Sequence, residues 1–307
     1  MTPAKPCVVL IDDEERILRS LSMLLRGRYD VLATTNPVQV LDWVRQRPVH
    51  VVVSDQRMPT ISGVDLLRQI REHSPRSMRL LLTGYADLAA VEAAVNDGEI
   101  FRFLEKPWDA AKLQEIVALA AQIAQADFER ADAAPAVPIA AATTHFGGVL
   151  VLDEDPGSAA LVRSLLPASC PVATATTVEA AMALLEAQEY AVLVAELRHS
   201  SDDVIAALKL LKQASPRTLA VACSSLRDGR LLIDLINQGQ VFRFLPKPLG
   251  KELLRRALLA ALERHGELRH EPHRLRRHVV EAPRQVSLSG RVMDYLRRIR
   301  DQAKLRA

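Results

Sequence analysis

The sequence predicts an α/β protein composed of two similar domains, each with a parallel sheet. The chain has 307 residues, and domains commonly have roughly 150 residues, so two domains are expected. The segment IFRFLEKP at 100–107 recurs 141 residues later as VFRFLPKP at 241–248. The same spacing relates SPR at 74–76 to SPR at 215–217. A constant spacing of this kind indicates two copies of one domain.

Within each copy, short β-branched runs alternate with segments of helical periodicity. In the first copy, apolar residues three or four positions apart, such as Ile17, Leu21 and Leu25, predict the helices. The strand runs are continuously apolar, which is typical of parallel strands that helices cover on both faces. The five predicted strands are CVVLI at 7–11, DVLAT at 30–34, HVVVS at 50–54, MRLLLT at 78–83 and IFRFL at 100–104.

The composition excludes several classes of protein. Hydrophobic residues make up 49% and charged residues 25%, as in ordinary globular proteins. Three cysteines, Cys7, Cys170 and Cys223, are too few and too far apart for a disulfide framework or a zinc cluster. No run reaches the roughly 18 apolar residues that span a bilayer. We expect a cytoplasmic protein without a membrane span.

The positive charge is concentrated near the C-terminus. The whole chain has a net charge of +3, but residues 251–307 contain 15 Lys or Arg and only 7 Asp or Glu. The basic character therefore belongs to this segment, and the rest of the chain is acidic.

Polar residues follow the predicted strands of the first copy. Asp12 and Asp13 come after the first strand, Asp55 after the third, Thr83 closes the fourth, and Lys106 follows the fifth. The carboxyl ends of parallel strands form the usual ligand site of an open sheet. Three clustered carboxylates require cations, which suits Mg²⁺ with oxygen ligands. A carboxylate beside Mg²⁺, an ammonium and a hydroxyl has the groups needed to accept a phosphoryl group.

These motifs resemble the receiver domain of two-component response regulators. The matching segments are LIDDEE, VVSDQRMPTISG, LLTGYAD and FLEKPWD. The resemblance is close over residues 5–126 and continues over 147–264 with degraded motifs. It implies two flavodoxin-like (βα)5 domains, each with a five-stranded parallel sheet.

The resemblance also implies a role for each matching residue. Asp55 would be the phosphoacceptor, supplied by a sensor histidine kinase or a phosphotransfer protein. Asp12, Asp13 and Asp55 would bind Mg²⁺ together with the backbone carbonyl of Arg57. Asp12 would act mainly through metal-bound water. Lys106 would contact the phosphoryl oxygens.

The same resemblance implies a switch in the first copy. Thr83 would bind a phosphoryl oxygen, and Phe103 would turn inward to fill the space that Thr83 leaves. An aromatic residue of strand five that simply packs in the core is the alternative role for Phe103. The remodelled surface would include a helix at about 86–96 and another at about 109–126. Lys106–Pro107 and Lys247–Pro248 are expected to be cis peptide bonds.

The second copy departs from the receiver pattern at the acceptor position, where Glu196 replaces aspartate. The Met-Pro and Gly that follow Asp55 are also replaced, by His199, Ser200 and Val204. Glu196 beside Lys247 would act as a permanent charge on one interpretation. On the other, which we favour, the domain is a pseudo-receiver kept for pairing or docking. The degenerate site comprises Asp153, Glu154, Glu196, Ser224, Lys247 and Phe244.

We predict a phosphorylatable receiver at 1–126, a linker at 127–146, a degenerate receiver at 147–264 and a basic segment at 265–307. The sequence contains no recognisable catalytic output domain, so we expect a signalling protein rather than an enzyme. Its output would be contact with a downstream protein or with a second copy. The alternative is a regulator that binds DNA or cyclic di-GMP through the basic segment.

The basic segment should be separable from both domains. Deleting residues 270–307 is expected to preserve phosphorylation of Asp55 and cooperative unfolding while weakening partner or oligomer binding. Radiolabelling from a small phosphodonor, thermal unfolding and sedimentation would measure these three properties. Loss of folding or of phosphorylation would show that the segment belongs to a domain.

Overall fold

The computed structural model divides into two compact units, Met1–Ala142 and Thr143–Ala307. It describes residues 5–84, 92, 96, 100–133, 147–197, 208, 212, 215–225, 229–239, 241–271 and 275. The first unit contains β1 (Cys7–Ile11), α1 (Glu15–Leu25), β2 (Asp30–Thr34), α2 (Pro37–Gln46), β3 (Val51–Asp55), α3 (Gly63–His73), β4 (Met78–Thr83), β5 (Arg102–Glu105) and α4 (Ala110–Ala133).

The five strands of the first unit form one parallel sheet in the order β2-β1-β3-β4-β5. This is the flavodoxin-like arrangement that the receiver resemblance implies, and each strand lies within two residues of its predicted bounds. The register pairs Ile11 with Ser54 and Asp55 with Leu82. The carboxyl ends of β1, β3 and β4 therefore lie side by side. The predicted helix at 86–96 lies outside the described residues, apart from two single positions.

Helices cover both faces of this sheet. Leu21 of α1 and Val117 of α4 pack in one core with Val8, Leu10 and Leu80 of the strands. The side-chain amide of a glutamine in α4 also donates a hydrogen bond of 3.1 Å to a carbonyl of α1. On the opposite face α2 and α3 contact each other and the central strands. Strands β1, β3 and β4 are buried along their whole length, which explains their largely apolar sequences, whereas the edge strand β2 is only partly buried.

The second unit repeats this architecture. Its five parallel strands are arranged β7-β6-β8-β9-β10, with bulges or irregularities between β6 and β8 and between β9 and β10. The elements are β6 (Gly148–Leu152), α5 (Pro156–Leu165), β7 (Val172–Ala175), α6 (Val178–Ala187), β8 (Tyr190–Glu196), β9 (Leu219–Ser224), α7 (Gly229–Asp234) with a π-helical turn at Leu235–Gly239, β10 (Val241–Pro246) and α8 (Lys251–His270).

Helix α4 of the first unit is longer than predicted. The receiver was expected to end at residue 126, but α4 continues to Ala133, through the first part of the predicted linker. The ring of Phe128 lies 5.2 Å from the His50 ring, centre to centre, and the Arg76 guanidinium lies 5.9 Å from the Phe128 ring centre. These contacts give the additional turns a packing partner. Residues 134–146 of the predicted linker lie outside the described residues.

The predicted boundary after residue 264 divides a continuous helix. His265 and Leu268 of α8 are buried, and Leu275 packs against the same core. His265 Nδ1 also lies 3.1 Å from the Arg217 carbonyl oxygen. The first residues of the predicted basic segment thus belong to the second unit, because their side chains complete its core. None of the helices described is long and apolar enough to cross a membrane.

Lys212 is an unusual feature of the second unit because its charged group is buried. The side chain donates a hydrogen bond of 2.8 Å to the Thr218 carbonyl oxygen, and the residue is 5% exposed. Burial lowers the pKa of Lys212 to about 7. The protonated side chain therefore costs folding free energy at neutral pH.

Lys212→Met should increase the free energy of unfolding of the second unit by about 1–4 kcal/mol at pH 7, because it removes a buried ionisable group. In the wild type, the unfolded lysine retains its proton up to its ordinary pKa, whereas the folded lysine loses it near pH 7. Wild-type stability should therefore rise between pH 7 and about 10, and the advantage of the variant should shrink. Urea unfolding across this pH range measures both effects.

The control for this prediction is Lys251→Met, which removes an exposed lysine of α8. It should change stability little at any pH. The prediction would be contradicted if Lys212→Met gave no gain in stability, or if the gain did not change with pH.

Candidate functional site

Four polar side chains meet at the carboxyl end of the first sheet. Asp12 directly follows β1, Asp55 ends β3 and Thr83 ends β4, so they lie on three neighbouring strands. Lys106 directly follows β5 and reaches back across this edge. Its Nζ atom lies 2.7 Å from Asp12 Oδ2 and 2.6 Å from Asp55 Oδ1. The structure thus brings together the acidic residue, the predicted acceptor and the lysine.

The two carboxylates are buried, with Asp12 1% and Asp55 5% exposed. Burial raises the pKa of Asp12 and the charge of Asp55 raises it further, against the lowering effect of Lys106 and a backbone N–H. Burial lowers the pKa of Lys106, but its hydrogen bonds with both carboxylates outweigh this, so the net shift is upward. Two carboxylates therefore share one ammonium, and the pocket has a deficit of positive charge.

Backbone groups fix the orientation of these carboxylates. The Glu14 N–H donates to Asp12 Oδ1 at 2.9 Å, and the Arg57 N–H donates to Asp55 Oδ2 at 2.6 Å. The Lys106 N–H donates to the Thr83 carbonyl at 2.7 Å, which ties the lysine to β4. Lys106–Pro107 is a cis peptide bond, as the receiver resemblance implies.

The loop between β3 and α3 lies directly against the acceptor strand. A Cβ atom on Gly63 would lie 2.1 Å from the Asp55 carbonyl oxygen and 2.8 Å from Leu81 Cδ1. Only glycine fits so close to another backbone. The Ser62 hydroxyl caps α3 by accepting the Asp65 N–H at 3.1 Å. The glycine of the VVSDQRMPTISG motif therefore permits the approach of α3 to the acceptor.

The remaining predicted residues of the first site differ in exposure. Asp13 is exposed, next to buried Asp12 in the chain. Phe103 is 1% exposed and pairs with Leu81 of β4, two residues before Thr83. Thr83 is 5% exposed. In the described part of the chain, no three or more His, Cys, Asp or Glu side chains cluster as metal ligands.

The second unit places equivalent residues in the same framework. Lys247 Nζ lies 3.0 Å from Asp153 Oδ2 and also bonds to Glu196 Oε1. The Asp155 N–H donates to Asp153 Oδ1 at 2.8 Å, and the Lys247 N–H donates to the Ser224 carbonyl at 2.8 Å. Lys247–Pro248 is also cis, as predicted. The backbone frame of the site is thus common to both units.

The pKa of the aspartate in the second site is shifted in the direction opposite to that of Asp12. Burial raises the pKa of Asp153, but its hydrogen bonds, including those from Ser158, a backbone N–H and Lys247, lower it overall. The Ser224 hydroxyl donates to the Leu197 carbonyl at 2.9 Å. As in the first site, two carboxylates share one ammonium, but here the hydrogen bonds favour the ionised form of the aspartate.

The other predicted residues of the second site differ in their exposure to solvent. Phe244 is buried, with 3% exposure, whereas Glu154 is exposed. His199, Ser200 and Val204, which replace the Met-Pro and Gly of the first copy, lie outside the described residues.

Sequence reasoning missed two polar residues near these sites. Ser158 lies in the first turn of α5 and hydrogen-bonds Asp153. Gln56 directly follows Asp55, and its side-chain oxygen lies 3.3 Å from the Val64 nitrogen. The DQRMP motif contains Gln56, but no spacing rule links it to Val64, eight positions later.

Comparison with known proteins agrees with this geometry. The family model described as "Response regulator receiver domain" matches residues 8–118. The hydrogenase transcriptional regulatory protein HoxA of Cupriavidus necator is 33% identical over 134 residues, which are 43% of this chain and 28% of that protein. The DNA-binding transcriptional regulator NtrC of Escherichia coli is 34% identical over 114 residues, 36% of this chain and 23% of that protein. The chain thus spans about a quarter of the length of these relatives.

A solved structure matches a similar share of the chain. The signal receiver domain of an HD domain-containing protein from Pseudomonas fluorescens is 34% identical, with a TM-score of 0.41, and the match covers 42% of this chain and 96% of that one. The family match and the residues at the sheet edge identify residues 8–118 as a response regulator receiver domain.

Proposed function

We propose that this chain is a cytoplasmic response regulator in which Asp55 accepts a phosphoryl group from a phosphohistidine. The donor would be a sensor histidine kinase or a phosphotransfer protein. The main observation that supports this proposal is the buried cluster of Asp12, Asp55 and Lys106 inside the matched receiver domain. Lys106 Nζ lies within 2.7 Å of both carboxylates. An aspartate held this way has a defined orientation and a cation beside it.

The donor set around Asp55 fits Mg²⁺. The ion is commonly held by one or two carboxylates together with waters and phosphate oxygens. Asp12 and Asp55 supply two converging carboxylates, and their shared deficit of positive charge favours a cation. Asp13 and the Arg57 carbonyl are the further ligands proposed. When bound, Mg²⁺ would supply positive charge for the transferred phosphoryl group.

The residues of this chain then have separate tasks in phosphoryl transfer. A carboxylate oxygen of Asp55 forms the new bond to phosphorus as the bond from phosphorus to the histidine nitrogen breaks. The Arg57 N–H holds the other side of the Asp55 carboxylate. Lys106 already contacts Asp55, so its ammonium is in place to balance charge on the phosphoryl oxygens.

The proposed switch begins at Thr83. Its hydroxyl would donate to a phosphoryl oxygen, and a charged hydrogen bond of this kind contributes roughly 1.5–3 kcal/mol. That amount changes a two-state equilibrium by one or two powers of ten. Phe103 is buried on the neighbouring strand, where a shift of Thr83 would change its packing. Changes at β5 and α4 would alter the surface offered to a protein partner or a second copy.

We propose that the second unit is a degenerate receiver that is not phosphorylated. The matching strand order and the shared Asp153–Lys247 contact support a common origin with the first unit. Its acceptor position holds Glu196 in place of the aspartate of the first unit. Of the two interpretations, a pairing or docking module remains the one we favour, with the permanent charge of Glu196 as the alternative.

The alternative function is DNA or cyclic di-GMP binding through the basic segment. Beyond 271 this segment lies outside the described residues, except for residue 275. Affinity for duplex DNA that falls steeply with salt would favour this function over one based on protein contacts.

Asp55 should be the sole phosphorylated residue. Incubation of the full chain with Mg²⁺ and labelled acetyl phosphate should label the wild type and Glu196→Gln equally, because only the first unit has an aspartate acceptor. Asp55→Ala should take up no label, and removal of Mg²⁺ with EDTA should abolish labelling of the wild type. Mass spectrometry of the labelled peptide locates the site.

Label that persists in Asp55→Ala would contradict the assignment, most directly if it appeared at Glu196. Thermal unfolding of Asp55→Ala would show that its loss of label does not result from unfolding.

Thr83→Ala should separate phosphorylation from switching. Asp55 should still accept the phosphoryl group, but the phosphorylation-dependent change in hydrogen exchange at β5 should be lost, because the hydroxyl that binds the phosphoryl oxygen is absent. Thr83→Ser keeps the hydroxyl and should retain the change. Hydrogen exchange with mass spectrometry measures both variants, and an unaltered response in Thr83→Ala would refute this role.

A further inference from the structure

Gln56 accepts hydrogen bonds from backbone N–H groups at the start of α3, although it lies seven residues before the helix begins. The first N–H groups of a helix have no partner within the helix. In α3, the Gly63 N–H donates to the Gln56 carbonyl at 3.0 Å and the Val64 N–H donates to Gln56 Oε1 at 3.3 Å. The Asp65 N–H donates to the Ser62 hydroxyl at 3.1 Å. Two of these three donors therefore depend on Gln56.

The same residue is attached to the sheet. The Gln56 N–H donates to the Leu82 carbonyl of β4 at 2.9 Å. Gln56 consequently links β4 to the start of α3 and closes the loop of residues 57–62 between them. Arg57, the first residue of that loop, donates its N–H to Asp55 Oδ2 at 2.6 Å. The atoms that orient the acceptor carboxylate thus belong to the loop that Gln56 closes.

The second unit provides a natural comparison. Leu197 occupies the position equivalent to Gln56, and its N–H still donates to the Cys223 carbonyl of β9 at 2.7 Å. The contact with the sheet is therefore common to both units. A leucine side chain cannot accept a hydrogen bond from a helix N–H. The side-chain hydrogen bond from Gln56 to α3, which we call the Gln56 clamp, is therefore possible only in the unit whose phosphoacceptor position holds aspartate.

We infer that Gln56 is a positioning residue for phosphoryl transfer to Asp55, and this inference rests on the proposed function. The Gln56 side chain holds the start of α3, and its backbone holds the loop. Together they keep the Arg57 N–H on the Asp55 carboxylate. Small displacements of a reacting group reduce rates strongly, so loosening this loop should slow phosphorylation even in a fully folded protein.

A purely structural helix cap would have a different consequence. It would lower the stability of the first unit, but the folded fraction would accept the phosphoryl group at the wild-type rate. The test therefore measures rate and stability separately, at a temperature where every variant is folded.

The experiment compares three variants of the full chain. Gln56→Leu introduces the residue of the second unit, and Gln56→Glu keeps an acceptor oxygen at the same reach. Gln125→Leu is the control, because this glutamine lies on α4 and bonds an exposed glutamate. Labelling by acetyl phosphate with saturating Mg²⁺ is followed over time at several donor concentrations. Hydrogen exchange at residues 57–64 and thermal unfolding are measured on the same samples.

Gln56→Leu should lower the maximal labelling rate by about ten-fold, with the half-saturating donor concentration unchanged, because it affects orientation rather than donor binding. It should also speed exchange of the Arg57 and Val64 amides. Gln56→Glu should restore slow exchange and most of the rate, and Gln125→Leu should match the wild type.

Wild-type labelling and exchange in Gln56→Leu would overturn the inference, as would a loss in Gln56→Glu equal to that in Gln56→Leu. If Gln56→Leu does not fold, exchange in Gln56→Glu decides: protection at residues 57–64 supports the clamp and its loss refutes it. Absence of label at Asp55 in the wild type would refute the proposed function instead, and the exchange data would still test the clamp.

Discussion

The ammonium group of Lys106 is the interaction on which the first site depends. Two carboxylates, Asp12 and Asp55, are buried on adjacent strands, and such a pair is unfavourable without a cation. Lys106 contacts both of them from the loop after β5. Burial and the charge of Asp55 raise the pKa of Asp12 against the lowering effect of Lys106. The Mg²⁺ proposed for this site would balance the second carboxylate.

The second unit shows how the same framework can be completed differently. Lys247 again contacts an aspartate and the residue at the acceptor position, but Asp153 has a lowered pKa. Ser158 contributes a hydrogen bond there, and the Ser224 hydroxyl is bonded to the Leu197 carbonyl. The polar groups of this site are satisfied by one another.

The residues that follow the acceptor position differ between the two copies. In the first unit, Gly63 lies against the Asp55 backbone so closely that any Cβ atom would collide with it, and Gln56 binds the helix that follows. The repeat has Val204 and Leu197 at these positions. A valine could not occupy the place of Gly63 without displacing backbone atoms. The loss of these two residues accompanies the loss of the aspartate acceptor.

The sequence by itself determined the α/β class, the internal repeat, the strand positions and the cluster around Asp12, Asp55 and Lys106. These follow from local patterns, because apolar runs define strands and the ends of parallel strands meet at one edge. Only the tertiary structure decided where the helices end and what Gln56 does. Phe128 and Leu268 extend their helices because each packs on residues distant in the chain, and Gln56 reaches a helix that begins seven positions later. Such contacts depend on the folded path of the chain, which no local pattern encodes.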